Sequence, residues 1–202
     1  MPRIRASNIE EHKQLTRRQL LEAAEDLFGE QGYEHVALGD VAAAVGVGRT
    51  TIYEYFRDKE DLLATLVEET LPETIDAMVL SIPAGLSFRQ RLAELAVQMV
   101  EFVADDPTLG LILHREVAKL SDEAQERVAV AHRGLSSEFV AIYRGGVASG
   151  ELKLLPFDLV GRFLQDLIMS AARALIESPD PAARRTEVTD AMVSVLLDGV
   201  GT

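Results

Sequence analysis

The chain has 202 residues, 48% of them hydrophobic and 26% charged, with no cysteine and a formal net charge of −13. This is the composition of a folded chain with a sizeable core; it excludes disulfides and thiolate metal sites, and no run of about 18 apolar residues is present to span a bilayer. The opening MPRIRASNIEEHKQ is polar and lacks the apolar centre of a signal peptide, so a cytoplasmic protein is expected.

A strongly acidic balance argues at first against a nucleic-acid partner, but the charge is uneven. Residues 1–20 carry Arg3, Arg5, Lys13, Arg17 and Arg18 against Glu10 and Glu11, whereas residues 21–63 hold three cations and ten acids. The front of the chain is therefore either a basic arm or a solvated tail.

Apolar residues recur at helical spacing almost throughout, so the expected fold is all-α with about nine helices. Leu20, Leu21, Ala24, Leu27 and Phe28 form one stripe, which Gly32 ends as a C-terminal cap. A short helix from Asp40 to Val45 stops at Gly46, and another runs from near Gly48 to Phe56. Asp58 and Asp61 resemble an acidic capping box opening a helix from Lys59 to about Leu71, and Pro72 either kinks it or starts a new one. Phe88, Leu92, Leu95, Ala96, Met99, Phe102 and Val103 give a clear amphipathic pattern. Asp106-Pro107 restarts the chain into a helix ending near Leu120. Ser121-Asp122-Glu123 opens a long helix with Val128, His132, Leu135, Phe139 and Ile142 on one face, its end loosened by Gly145, Gly146 and Gly150. Pro156 opens a helix to about Glu177, and the last helix covers roughly Ala183 to Leu197.

The stretch VGVGRTTIYEYF, residues 45–56, has glycines followed by a cation and two hydroxyls, as a phosphate cradle would. A P-loop needs G-x-x-x-x-G-K-[ST] after a buried strand; here Ala43 stands for the first glycine, Arg49 for the lysine, and the preceding segment is helical. The dinucleotide fingerprint fails at Thr51. A helix-turn-helix over about residues 38–57 fits instead. Val41, Ala42 and Val45 would pack on Ile52 and Phe56, leaving Arg49, Thr50, Thr51, Tyr53, Glu54 and Tyr55 outside. Tyr and Thr hydroxyls donate to phosphates and Arg bridges guanine O6 and N7, so this surface suits duplex DNA. A three-helix packing element without DNA binding is the alternative on these grounds.

Residues Leu20-Leu21-Glu22-Ala23-Ala24, Leu27-Phe28, Gly32-Tyr33, Val41-Ala42, Val45-Gly46-Val47, Thr51-Ile52-Tyr53, Tyr55-Phe56 and Lys59-Glu60-Asp61-Leu62-Leu63 together resemble the tetracycline-repressor (TetR) family of bacterial regulators over about residues 15–65. The resemblance implies a DNA-binding domain over 1–62, a ligand-binding and dimerising domain over 63–202, and repression relieved by a small molecule. By position it implies that Arg49, Thr50 and Tyr53 face the groove while Thr51, Tyr55 and Lys59 contact phosphates. Three departures stand out. Ala37 replaces a capping Thr or Ser, so that cap is either missing or supplied by Asp40; Gly48 replaces the capping Ser of the recognition helix; and Thr50 replaces a common Gly, with acidic Glu54 on the DNA-facing surface.

In the body, the 156–177 helix is apolar on too wide an arc for one core: Leu159, Val160, Phe163, Leu164, Leu167, Ile168, Ala171 and Leu175. With Val188, Met192, Val195 and Leu196 of the 183–197 helix, these stripes fit what the resemblance implies, a homodimer in which the last two helices pair with their mates; a purely intramolecular core is the alternative. Polar residues beside apolar stripes mark a pocket for a small apolar or aromatic effector. Gln98, His114, His132 and Asp166 are available to orient it, and Met99, Phe102, Phe139, Tyr143 and Phe163 to line it. No enzyme, metal or cofactor is expected: the four histidines lack metal spacing and there is no cysteine nucleophile. A regulator without small-molecule sensing is one alternative. A helical adaptor is another, but it has no need of exposed Tyr53 and Tyr55 with Lys59.

Overall fold

The computed structural model describes residues 2–105 and 107–200, the side chains of 2–8, 108, 109, 111, 113 and 200 being outside the described set. Among the described residues the fold is all-α: α1 Pro2–Gln31, α2 Leu38–Val45, α3 Lys59–Ser81, α4 Phe88–Asp105, α5 Pro107–Glu116, α6 Asp122–Ala131, α7 Arg133–Ser149, α8 Phe157–Ile176 and α9 Pro181–Val200. Short 3₁₀ turns at Tyr33–His35, Thr51–Glu54 and Val117–Lys119 link some of them. Two compact units are present, one of Met1–Thr70 with Leu111–Val130 and one of Leu71–Gly110 with Ala131–Thr202.

The first unit buries the stripe read from the sequence. Leu20, Leu21, Ala24 and Phe28 of α1 lie with Val41 and Ala42 of α2, Ile52, Phe56, and Leu62, Leu63 and Val67 of α3 in one core. Phe28 meets Tyr33 edge-on, ring centroids 5.2 Å apart, which closes the turn after α1. In the second unit α4 is central and packs against α7, α8 and α9, burying Leu92, Leu95, Ala96 and Val103 of the predicted stripe together with Val100, while Phe88, Met99 and Phe102 are half-buried.

Four local expectations are corrected. The helix from Lys59 does not end near Leu71, and of the two roles expected for Pro72 it does not start a new helix: α3 runs through it to Ser81, the proline lying at an exposed position. The long 121–150 helix is two, α6 and α7, separated at His132. Gly134 weakens helix propensity just beyond the break, and the change of compact unit falls between Val130 and Ala131. Gly145 and Gly146 do not loosen α7; they are packing positions, where an added Cβ would enter the Phe88 ring at Gly145 and meet Leu152 Cδ1 at 2.5 Å at Gly146. The fourth correction concerns the segment after Gly48.

Candidate nucleic-acid interface

The interface is built on two buried anchors. Ile52 and Phe56 are almost fully buried, and being four residues apart they fix one side of the intervening turn to the core. The chain reaches them through Gly46, whose φ of 77° is the left-handed cap of α2. Its N–H donates to Ala43 O at 3.1 Å, and that of Val47 donates to Ala42 O at 3.0 Å. Thr51 N then bonds Gly48 O at 2.8 Å and opens a 3₁₀ turn over Thr51–Glu54, in place of the helix expected from Gly48 to Phe56. The reason is local. Thr50, Thr51, Ile52, Tyr53 and Tyr55 are β-branched or aromatic, and Gly48 offers no side-chain cap, so regular α-helix is weakly favoured.

With Ile52 turned inward, Arg49, Thr50, Tyr53 and Glu54 are exposed and Thr51 and Tyr55 half-buried. Tyr53 is 56% exposed. The Arg49 side chain lies beside Gly39 of α2, where a Cβ would stand 3.3 Å from its Nε. Of the six residues the spacing leaves outside, Arg49, Thr50, Tyr53 and Glu54 are thus exposed and Thr51 and Tyr55 only partly so. Arg3 and Arg5 lie outside the described side chains.

Lys59 is placed differently from a freely reaching phosphate contact. Its Nζ donates to Tyr33 O at 2.7 Å and Glu34 O at 3.2 Å and sits 4.3 Å from the Tyr33 ring centroid. One of its three donors remains. Burial lowers the Lys59 pKa, against the opposing fields of Glu34 and Glu116. Burial likewise raises that of Tyr33, with Glu60, Asp58 and Glu116 adding to it. Both helix starts on this side use acidic caps: Asp61 N donates to Asp58 Oδ1 and Arg57 N to Asp61 Oδ2, each at 2.8 Å. Ala37 has no side-chain acceptor, but its N–H donates to Asp40 Oδ2 at 2.8 Å, so of the two alternatives it is Asp40 that supports the start of α2.

Sequence reasoning missed what α6 does. Arg127 donates to Asp61 at 2.5 Å, to Thr65 at 2.9 Å, and to both Glu68 oxygens at 2.9 and 2.6 Å. Arg57 grips Glu123 through both Nη atoms at 3.2 and 2.8 Å, Lys119 reaches Glu34 at 3.1 Å, and Ser121 N donates to Glu60 at 2.9 Å. A signal was available: Asp61, Thr65 and Glu68 recur at i, i+4, i+7 amid buried Leu62, Leu63, Leu66 and Val67.

The predicted effector residues are dispersed. Gln98, Met99 and Phe102 of α4 and Phe139 of α7 are half-buried, His132 is half-buried at the α6–α7 break, and half-buried His114 belongs to the first compact unit. Gln98 is engaged locally, accepting from Ser81 at 3.1 Å and donating to Glu94 at 3.2 Å. Tyr143 is buried with its hydroxyl fully used, donating to Lys153 O at 2.7 Å and accepting from Leu155 N at 2.9 Å. Phe163 and Asp166 are not inside the body: both lie exposed on the outer side of α8, Phe163 at 65%. Open grooves of about 780 Å³ beside Lys59 and Arg127 and about 620 Å³ beside Arg17 and Glu69 contain none of this set.

Residues 20–66 match the family model described as bacterial regulatory proteins, tetR family, and residues 85–200 match the tetracyclin repressor-like C-terminal domain. The chain belongs to the TetR family. This TetR-family protein is therefore a DNA-binding transcriptional regulator of the ligand-responsive kind. It is 27% identical over 135 residues to the fatty acid metabolism regulator protein of Bacillus subtilis (strain 168), covering 67% of this chain and 70% of that protein. It is 30% identical over 158 residues to the transcriptional regulator TtgR of Pseudomonas putida, covering 70% and 72%. The crystal structure of FadR from Bacillus subtilis in complex with stearoyl-CoA superposes with a TM-score of 0.72 at 25% identity, over 88% of this chain and 97% of that one. Among the described residues of this TetR-family chain, no cluster of three or more metal-ligating side chains forms and no helix is long and apolar enough to cross a membrane.

Proposed function

We propose that this regulator is a cytoplasmic, non-enzymatic repressor that binds an inverted-repeat operator as a symmetric dimer and is released by a small, mainly apolar effector. The observation that carries the DNA half is the turn over Thr51–Glu54, whose apolar side is sealed by Ile52 and Phe56 while Arg49, Thr50 and Tyr53 are presented outward. In this reading Arg49, Thr50 and Tyr53 meet base edges, Thr51 and Tyr55 meet phosphates, and Lys59 offers its remaining donor to a phosphate. Residues 1–62 read DNA and residues 63–202 carry effector binding and dimerisation. Selection from random duplexes at low salt tests it: an enriched inverted repeat is expected, and recovery of none overturns the reading.

Dimerisation is supported by apolar residues that the second unit leaves outside. On α8 the buried Val160, Leu164 and Ile168 face the core, but Leu159 and Phe163 are exposed, as is Val195 of α9 at 62%. An apolar surface of this kind is covered by a second copy in an isologous contact. Phe163→Glu should give monomers with weakened operator binding, and a wild-type monomer at micromolar concentration in sedimentation would end the claim. For the effector, likeness to the fatty acid regulator and to a structure holding stearoyl-CoA favours an acyl chain. Stearoyl-CoA is the first probe, read by operator titration; a ligand that binds without changing DNA affinity has no coupling.

A further inference from the structure

The segment that reads DNA is poor in cations. Between residues 21 and 63 there are three, Arg49, Arg57 and Lys59, against ten acids. Lys59 directs two donors inward to Tyr33 O and Glu34 O. Arg57 stands between Tyr55 and Lys59 in sequence, its side chain 61% exposed, yet its guanidinium is already forked onto Glu123 of α6. Asp61 lies farther off, 3.8 Å from Arg57 Nε. The Glu123 bond and charge raise the Arg57 pKa, with Asp61 adding to them. Glu123 is 66 residues away in sequence and is placed by the Arg127 contacts that fasten α6 to α3. Glu123 also lies in the first turn of α6, where the helix dipole favours an acid, and Asp122 beside it serves that role equally.

A carboxylate and a phosphodiester present the same geometry to an arginine fork, two oxygens that accept in parallel. An exposed pair is also cheap to break. We propose that Arg57 is a DNA-phosphate contact that exchanges Glu123 for a backbone phosphate on binding, so that Glu123 sets operator affinity by competing for it. The exchange rests on DNA binding through residues 48–56. It makes Glu123 a residue that weakens binding without touching DNA.

The test is a double-mutant cycle on the full chain. Affinity for the selected operator is measured across a salt series for wild type, Arg57→Ala, Glu123→Gln and the double variant, with Asp122→Asn as a control of equal charge change on the same turn of α6. Glu123→Gln should tighten binding by about 1.5- to 5-fold, the range for releasing one exposed ion pair, while leaving the salt slope unchanged because the bound state keeps the same phosphate contacts. Arg57→Ala should weaken binding and reduce the slope by about one unit. In the Arg57→Ala background Glu123→Gln should change nothing. Equal tightening with and without Arg57, matched by Asp122→Asn, would show Glu123 acting only as a general charge and overturn the exchange. An unaltered slope in Arg57→Ala would also overturn it, since Arg57 would then make no phosphate contact. Either failure is distinct from failure of the DNA reading, which wild-type binding to the selected duplex establishes first. Both side chains are exposed, and circular dichroism confirms that each variant is folded.

Discussion

Replacing Arg127 with alanine tests whether α6 is built into the DNA-binding unit. The side chain is 25% exposed and makes four hydrogen bonds to three acceptor residues: Asp61, Thr65 and Glu68. Truncating one partner of a fully buried ion pair costs about 3–5 kcal/mol. Here the loss is smaller, because Glu68, at 36% exposure, can rehydrate and Asp61 keeps its bond from Arg57 N. The expected destabilisation is about 2–3 kcal/mol, or roughly 4–12 °C in Tm for a chain of this size. Arg127→Lys should recover only part, since an ammonium cannot fork onto Glu68 while reaching Asp61. The pH dependence gives an independent readout. Burial pushes the Asp61 pKa up, but the Arg57 N–H and Arg127 outweigh it and hold the group below 3.8. A depressed folded pKa contributes stability above the unfolded value that is lost as pH falls through the folded one. The Arg127→Ala penalty should therefore be full at pH 7 and shrink below about pH 4. Urea unfolding followed by circular dichroism measures both. A penalty under about 0.5 kcal/mol, flat with pH, would mean that these contacts behave as ordinary surface pairs and would refute the reasoning.

Gly145→Ala should cost about 1–3 kcal/mol by overpacking against the Phe88 ring, whereas Gly161→Ala, into open space on α8, should be neutral or stabilising by up to about 1 kcal/mol; thermal unfolding of the pair checks the opposite signs. Tyr143→Phe should cost about 1–3 kcal/mol by leaving Lys153 O and Leu155 N without their partner. It should also speed amide exchange over 151–155, and an unchanged exchange rate at Leu155 would show that water replaces the hydroxyl.

The DNA-reading half was legible because its rules are local. Gly46 ends a helix by its positive φ, Asp58 and Asp61 start one through their own carboxylates, and Ile52 with Phe56 shows which side faces inward. Regularity was less legible, since the uncapped, β-branched run after Gly48 gives a 3₁₀ turn where periodicity alone suggested an α-helix. The body shows what pattern cannot supply. Phe163 and Leu164 are adjacent and equally apolar, yet one is 65% exposed and the other buried; a wide apolar arc has two sides, and periodicity does not say which meets the core. Polar residues beside such arcs carry the same ambiguity, which is why Asp166 was placed inward and lies outside. Tyr143 was legible as buried but not as satisfied, because its partners are backbone groups of the 153–155 segment. The α6 contacts join residues 59 to 66 apart along the chain, beyond the reach of any helical period.

The acidic balance, an obstacle at first sight, bears on how such a regulator discriminates. Phosphate attraction is blind to sequence and dominates non-specific binding. Ten acids against three cations over residues 21–63 lower that blind term, leaving the basic residues 1–20 as its main source. Glu54 on the presented surface and Glu123 on Arg57 reduce it further. In the proposed reading Glu123 disfavours every duplex alike, whereas Arg49 and Tyr53 contribute only where the bases match. Lowering the common term while keeping the matched one raises the ratio of specific to non-specific affinity, and that ratio governs occupancy among a genome's competing sites. Absolute affinity falls, and the proposed dimer would restore it by engaging two half-sites at once. On the proposed function, the exposed apolar side of α8 and the scarcity of cations around the recognition turn belong to one solution: weak, selective half-sites made tight by pairing.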